Sequence, residues 1–567
     1  MRSARLLTLM LTLTMSACSQ QSEAQQNTQH RAGTAVTASE EPFIIGVQTH
    51  FGQNWPNVAF RALRDAPIEH VRDGLQWASV EREQGEYDFG NSRLPVLRNI
   101  CNLDRKLLLT IDPLNPIYDG GKHVSSVEGR RAFVAYLDAI QAELGQCLEG
   151  FEIGNEINGE GKLETASGTD GREAYVALLR EISSSLKQRR PDLIIVGGSS
   201  NSIATGFLAR LIELGMLDYV DAVAVHPYRS GIGGLAWEIA HLRETIAANG
   251  KSTPVWATEF GDRFDTYDDA ADAMTKMLTV MSANGIDRAY WYALIDQSWF
   301  PKSGLYSVRG REYPAAKALE TFIGFAGRGG RASAEGDGVR KVYSLPNNNW
   351  VVWGSTGDLQ VAEEGIPLKN TGSPIQSDSL SQKPIFLSGP RPEMGPSLII
   401  ADSLMEFGHP PWAYYARDRQ KDIVELGALD GQFATGFGSR FLRPLRVDAG
   451  SAAVAGTIDQ PIGAIIRYTP PSAARMAIRV CLRPSAEGEG IAMRALADGR
   501  LLSSKTWTRQ DGLLIEPVDV SPGTPIDFEF SPAGYATRGN SFRYRIQFLE
   551  PGSPIQPCAQ IISNWSG

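Results

Sequence analysis

From residue 43 onward the chain repeats one pattern eight times: a short apolar run, a polar loop, then a segment with apolar residues three and four apart. The apolar runs predict strands over 43–47, 68–71, 106–111, 150–153, 193–196, 222–225, 255–258 and 288–293. Of the intervening helices, 172–189 is the plainest. Tyr175, Leu178, Leu179, Ile182 and Leu186 fall on one face, and Pro191 stops it. Segments 270–281 and 315–325 read the same way. Eight such units over about 280 residues match the size of a closed (β/α)8 barrel. The competing arrangement is an open doubly wound sheet, but no glycine-rich phosphate loop follows the first run.

The pattern changes near Gly327 to Gly330. Runs 341–345 and 350–353 alternate like strands across the turn Pro346-Asn347-Asn348-Asn349, and short strands continue to 384–387. Ser388 to Pro392 reads as a linker. The remainder has alternating strands, many Gly and Pro turns and no long helical pattern, which predicts a β-sandwich. At the other end, Arg2 and Arg5 precede an apolar run over 6–15 too short to span a bilayer. The expected organisation is a lipoprotein signal peptide (1–17), a disordered tether (18–40), the barrel (41–328), a small β domain packed on it (329–392) and the sandwich (393–567). In fold class this is a multidomain α/β plus all-β chain: a TIM barrel followed by two β domains.

Charge and cysteines narrow the function. The 567 residues carry a net charge of −9 without a Lys/Arg run, which argues against nucleic acid and against a polybasic membrane surface. A neutral or weakly charged polymer fits better. Met15-Ser16-Ala17-Cys18 resembles the box at which a bacterial lipoprotein is cut before a lipid-modified Cys, with Met15 where Leu is commoner. The expectation is an exported protein held to a bacterial membrane, the outer one where the host has one, by lipid on Cys18 alone. Ordinary secretion is the alternative. Cys101, Cys147, Cys481 and Cys558 remain, and pairing within each domain is expected, with four free thiols as the alternative. No cofactor is implied. Seven His are scattered without paired ligand spacing, so no metal site is expected. Oligomeric state is not readable.

Candidate chemistry sits where a barrel carries it, at the C-terminal ends of the strands. Phe151-Glu152-Ile153-Gly154-Asn155-Glu156 is an apolar strand ending in a carboxylate, and so is Pro254-Val255-Trp256-Ala257-Thr258-Glu259. Two such Glu can face each other across the barrel mouth as proton donor and nucleophile. Around them the strand ends offer His50, Arg72, Asn115, Tyr118, Asn155, His226, Tyr228, Trp291 and, in the last loop, Trp299. Aromatic faces stack on sugar rings, and Asn, His and Arg hydrogen-bond hydroxyls. Each also has a bland reading: Arg72 as partner of a carboxylate inside the barrel, His50 and His226 as satisfied structural histidines, the tryptophans as core.

The segment Arg72-Asp73…Trp77 running into Gly85-Glu86-Tyr87-Asp88-Phe89, with Asn155-Glu156, His226-Pro227-Tyr228 and Glu259, resembles the retaining glycoside hydrolases of the large (β/α)8 clan. The resemblance points to family 39, in particular its bacterial exopolysaccharide-cluster glycosidases, in which Asn-Pro-x-Tyr-Asp also follows the third strand. It spans residues 43 to 325; beyond it the sandwich resembles a carbohydrate-binding module only loosely, with Trp412, Tyr414 and Tyr415 as a stacking group or as ordinary core. The family resemblance implies Glu156 as acid/base, Glu259 as nucleophile, Asn155 at the sugar 2-hydroxyl and Tyr228 beside the nucleophile. Glu156 is then expected to have a raised pKa, and the carboxyls a retaining enzyme's separation of about 5–5.5 Å. The implied function is hydrolysis of a polysaccharide, an exopolysaccharide in particular. The rival reading is a catalytically silent lipoprotein that binds polysaccharide during export.

Overall fold

The computed structural model describes residues 41–229, 231–336, 338–354, 359–360, 368–374, 380–554 and 557–558. The expected signal peptide and tether, with Cys18, lie outside the described residues.

Eight parallel strands close into a barrel: β1 (Ile44–Gln48), β2 (His70–Gly74), β3 (Lys106–Ile111), β4 (Leu148–Ile153), β5 (Ile194–Asn201), β6 (Ala222–His226), β7 (Val255–Phe260) and β8 (Ile286–Trp291). Each pairs with its sequence neighbours, and β8 closes onto β1, with Val47 opposite Trp291. The period-two alternation of a strand divides its side chains. One set, including Val47, Val71, Leu109, Phe151, Ile195, Val225, Ala257 and Trp291, is buried against the helices. The other fills the interior with Leu108, Val196, Ala224, Trp256 and Tyr290. Position 46 is a glycine on this inner face, where a Cβ would lie 2.4 Å from the Tyr290 ring. The predicted helices form at Gly171–Arg189, Tyr267–Ala283 and Pro314–Ala326. The second of these starts with a capping box between Thr266 and Asp269.

Strands Arg340–Leu345, Asn349–Gly354 and Ile385–Ser388 belong to one small antiparallel sheet. Its alternation lays Tyr343, Val351, Trp353 and Phe386 on the barrel's core, and turns Val342, Val352 and Leu387 to a core of its own. Residues Ile399–Leu549 form two antiparallel sheets around a second core that holds Trp412, Tyr414, Tyr468, Phe528 and Phe548. The aromatics Trp412 and Tyr414 are therefore core residues, not a sugar-stacking surface. Disulfides join Cys101 to Cys147 in the barrel and Cys481 to Cys558 in the sandwich, with Cα atoms 5.4 and 5.5 Å apart. Among the described residues no helix is long and apolar enough to cross a membrane.

Candidate active site

Above the apolar interior the strands contribute a buried polar layer: Gln48, Arg72, Thr110, Glu152, Ser199, His226 and Thr258. Its centre is Glu152, fully buried in β4. A carboxylate there is tolerable only when each oxygen is paired. One oxygen accepts from Arg72 Nε and from Thr110 Oγ1 (2.8 Å), the other from Ser199 Oγ (2.7 Å) and Thr258 Oγ1 (2.8 Å). Burial works against its charge, but the Arg72 and His226 partners hold the Glu152 carboxyl well below the usual range. Glu152 was not among the residues selected from sequence. Its signal was a charge inside an apolar strand.

Arg72 carries this layer upward. From the guanidinium held by Glu152, Nη1 donates to Gln48 Oε1 (2.7 Å) and to Glu259, and Nη2 donates to Asn155 Oδ1 (2.9 Å). Glu259 also accepts from the Tyr228 hydroxyl. Arg72 thus does both things expected of it: it pairs a carboxylate within the barrel and reaches the site.

Glu156 is presented differently. β4 ends in a turn in which Gly154 (φ +82°) and Glu156 (φ +49°) take left-handed conformations. A Cβ at position 154 would sit 2.4 Å from Ile157, so glycine is required. The turn is pinned by Asn155 N donating to Asp112 Oδ1 (2.8 Å) and Ile157 N to Ser199 O (3.1 Å). Glu156 Oε1 accepts from Asn201 Nδ2 at 2.9 Å and faces His226 Nδ1 at 3.4 Å. His226 Nδ1 lies 3.7 Å from Glu259 Oε2, and its Nε2 is 3.1 Å from Thr258 Oγ1. One oxygen each of Glu156 and Glu259, and a nitrogen of His226, all lie within 4.8 Å of one another. The two carboxylates, 103 residues apart in sequence, converge on one point.

Protonation differs from expectation. Burial opposes a charge on His226, but Glu259, Glu152 and Glu156 raise its pKa to about 9. Burial would raise Glu156, yet His226, Asn201 and Arg72 hold its carboxyl below the usual value. These shifts favour the proton on the imidazole over the acid, because the imidazolium answers three carboxylates. The same fact bears on metal binding. Glu156, His226 and Glu259 could geometrically hold an ion, but a protonated imidazole has no lone pair to give, and Arg72 and Tyr228 already occupy Glu259.

The two carboxylates border a cavity of about 510 Å³, a usual size for a small-molecule site. Arg72, Asn155, Glu156, Tyr228 and Glu259 line it, as do His50 and Tyr292. Asp73 secures the loop carrying His50 by accepting from Thr49 Oγ1 (2.6 Å), Phe51 N (2.8 Å) and Gly52 N (3.0 Å). His50 Nε2 is 3.0 Å from the Tyr292 hydroxyl, which also accepts from Trp299 Nε1 at 2.9 Å. Trp299 is half-exposed and lies outside the cavity lining. Tyr292 follows Trp291 at the eighth strand end, where the sequence already points to a sugar site; Asn201 was passed over, and only its place at the end of a barrel strand could have flagged it.

Five expected sugar contacts do not line the cavity: His226 is wholly buried behind the two carboxylates, Trp299 is linked to the cavity through Tyr292, and Trp291, Asn115 and Tyr118 are engaged elsewhere. Trp291 is wholly buried on the outer face of β8, stacked on Phe264 and donating to Ser303 O at 2.7 Å. Strand parity sends it outward. Asn115 and Tyr118 are buried against Glu81: Asn115 Nδ2 donates to Glu81 O (2.9 Å), and the Tyr118 hydroxyl to its carboxylate (2.6 Å). Trp77 stacks on Tyr118 and donates to the same carboxylate (2.6 Å). This bracket ties the loop after β3 to the loop after β2 and supports the site from behind.

Residues 207–315, which span β6 to β8 with His226, Tyr228 and Glu259, match the family described as glycosyl hydrolase catalytic core. A family 39 glycoside hydrolase from the gut symbiont Bacteroides cellulosilyticus has a similar structure: 19% identity, 61% of this chain and 81% of that one covered, TM-score 0.52. Over the aligned part the fold is similar to that of this family 39 enzyme. A family 39 β-xylosidase from Caulobacter crescentus aligns at 15% identity over 62% of this chain and 98% of that one, TM-score 0.44. A family 39 enzyme from Xanthomonas axonopodis pv. citri aligns at 14% over 88% and 96%, TM-score 0.41. No curated protein matches the chain.

Proposed function

We propose that this glycosidase-like barrel hydrolyses a polysaccharide with retention of configuration, Glu259 acting as nucleophile and Glu156 as acid/base. The observation that carries the reading is the approach of their carboxylate oxygens to within 4.8 Å beside the cavity. That approach suits a glycosyl-enzyme intermediate, which needs carboxyls about 5–5.5 Å apart, rather than the ~6.5–9.5 Å that leaves room for a water. Arg72 and Tyr228 hold Glu259 aimed. Glu259 attacks the anomeric carbon while Glu156 gives its proton to the departing oxygen. Once Glu259 is esterified its charge is gone, and Glu156 acts as base on the incoming water. Asn155, fixed by Arg72, stands beside Glu156 where it can meet the sugar 2-hydroxyl. The substrate fits an exported bacterial polysaccharide, and a lipid on Cys18 would hold the enzyme where such polymers pass.

The test is the Glu259→Ala variant, with reducing ends released from the host's exopolysaccharide as readout. Turnover should disappear, and azide should restore chain cleavage by taking the anomeric carbon itself, giving a glycosyl azide of inverted configuration that is read by the fall in polymer size because it leaves no new reducing end. Appreciable turnover without azide would falsify the assignment.

A further inference from the structure

The hairpin formed by strands Gly427–Asp430 and Thr435–Gly438 of the sandwich turns at residues 431–434 and reaches the barrel. Gln432 Nε2 donates to Asn158 O at 2.6 Å, and Gln432 O accepts from Asn158 Nδ2 at 2.7 Å. Asn158, only 1% exposed, also donates from Nδ2 to Asn201 O (3.0 Å) and accepts Asn201 N at Oδ1 (2.8 Å). Asn201 Nδ2 in turn donates to Glu156 Oε1 at 2.9 Å. The chain of contacts therefore runs from the last domain to the carboxyl given the role of acid. The hairpin is anchored a second time: His241 Nε2 meets Asp430 at 3.0 Å, and Gly206, just after β5, leaves room for it, since a Cβ there would come within 2.7 Å of the Asp430 Cβ.

We propose that Gln432 is a positioning residue for the acid/base, so that the sandwich completes the leaving-group side of the active site. The two carboxylates differ in how much support the barrel gives them. Glu259 is clamped by Arg72 and Tyr228, and its side chain is 9% exposed. Glu156 stands on a left-handed turn with its side chain 32% exposed, and its direct partners are Asn201 and His226. Asn158 lies two residues beyond it and grips both the strand end that bears Asn201 and the hairpin. A small displacement of an acid from the line of the leaving oxygen is costly to proton transfer. This inference rests on Glu156 being the acid.

The test uses the full chain and a matched pair of probes, the 2,4-dinitrophenyl and phenyl glycosides of the best-accepted sugar among glucose, xylose, mannose and glucuronic acid. Dinitrophenolate leaves without a proton; phenolate needs one. Gln432→Ala should lower kcat/KM for the phenyl glycoside roughly five- to tenfold, the worth of one hydrogen bond, and leave the dinitrophenyl glycoside and the melting temperature nearly unchanged. Gln432→Glu preserves shape but cannot donate when ionised. It should show the same selective loss, relieved relative to wild type as pH falls and the carboxyl regains a proton. Equal losses on both probes, or none on either, overturn the proposal. Glu156→Ala separates the two readings. If it too fails to discriminate between the probes, the acid assignment has failed; if it discriminates and the Gln432 variants do not, only the positioning role has.

Discussion

At the scale of single residues, the chemistry depends on where one proton sits. His226 and Glu156 share a contact, and the imidazole holds the proton against three surrounding carboxylates. The form that catalysis needs, with neutral imidazole and protonated Glu156, has the same number of protons. Its fraction therefore does not change with pH until the pair as a whole loses its proton. Substrate that covers the exposed edge of Glu156 removes water from it and favours that form. The alkaline limb of kcat/KM for a phenyl glycoside is thus expected near pH 9, the pKa of His226, although Glu156 itself lies low. His226→Asn should bring that limb down into the carboxylate range. A wild-type limb already there, unmoved by the substitution, would contradict the shared proton. Stability carries a parallel signature. The His226 pKa is raised above its unfolded value of about 6.5, so its contribution is complete below that pH and disappears as pH rises through about 9. For Glu152, whose pKa is depressed, the contribution is present above the ordinary carboxylate range and is lost as pH falls.

At the scale of elements, strand parity decides which residues can touch substrate. Trp291 and Tyr292 are adjacent, yet one faces the helices and the other the cavity. Trp291→Ala should destabilise the barrel by about 3–5 kcal/mol, read by urea denaturation. Tyr292→Phe, which removes the hydroxyl joining His50 to Trp299, should leave the denaturation midpoint in place and raise KM. A reversed pattern would mean that β8 is read in the wrong register. The same parity explains what was legible in the sequence. Strand existence and order follow from apolar runs, and Glu156 and Glu259 follow from runs that end in a carboxylate. Glu152 was hidden because it lies within such a run. Asn115 and Tyr118 looked like site residues because they follow β3, but the partner that claims them, Glu81, sits on an insertion whose position only the folded chain reveals. Asn201 was hidden by irregularity: β5 shifts register between Gly197 and Ser200, with Ser199 and Gly198 at positive φ, and no simple alternation locates its end.

At the scale of the whole molecule, the two disulfides and the N-terminal segment bear on one another. Each disulfide closes a loop within its own domain, with separations of 46 and 77 residues, and loops of that length correspond to about 4 kcal/mol each in the chain-entropy account. Such bonds are rare in the reducing cytosol; export, proposed from Arg2, Arg5 and the apolar run before Cys18, is open to its own test. If a lipid on Cys18 is the anchor, anchoring and the two disulfides use different cysteines. Cys18→Ser should therefore move the protein from the membrane fraction to the soluble one without changing kcat/KM on an aryl glycoside. Cys101→Ser, by contrast, should leave it membrane-bound and lower the resistance of the barrel to urea. Fractionation with immunoblotting reads the first outcome and denaturation the second. A Cys18→Ser protein that stays with the membrane would show that something other than acylation holds it there.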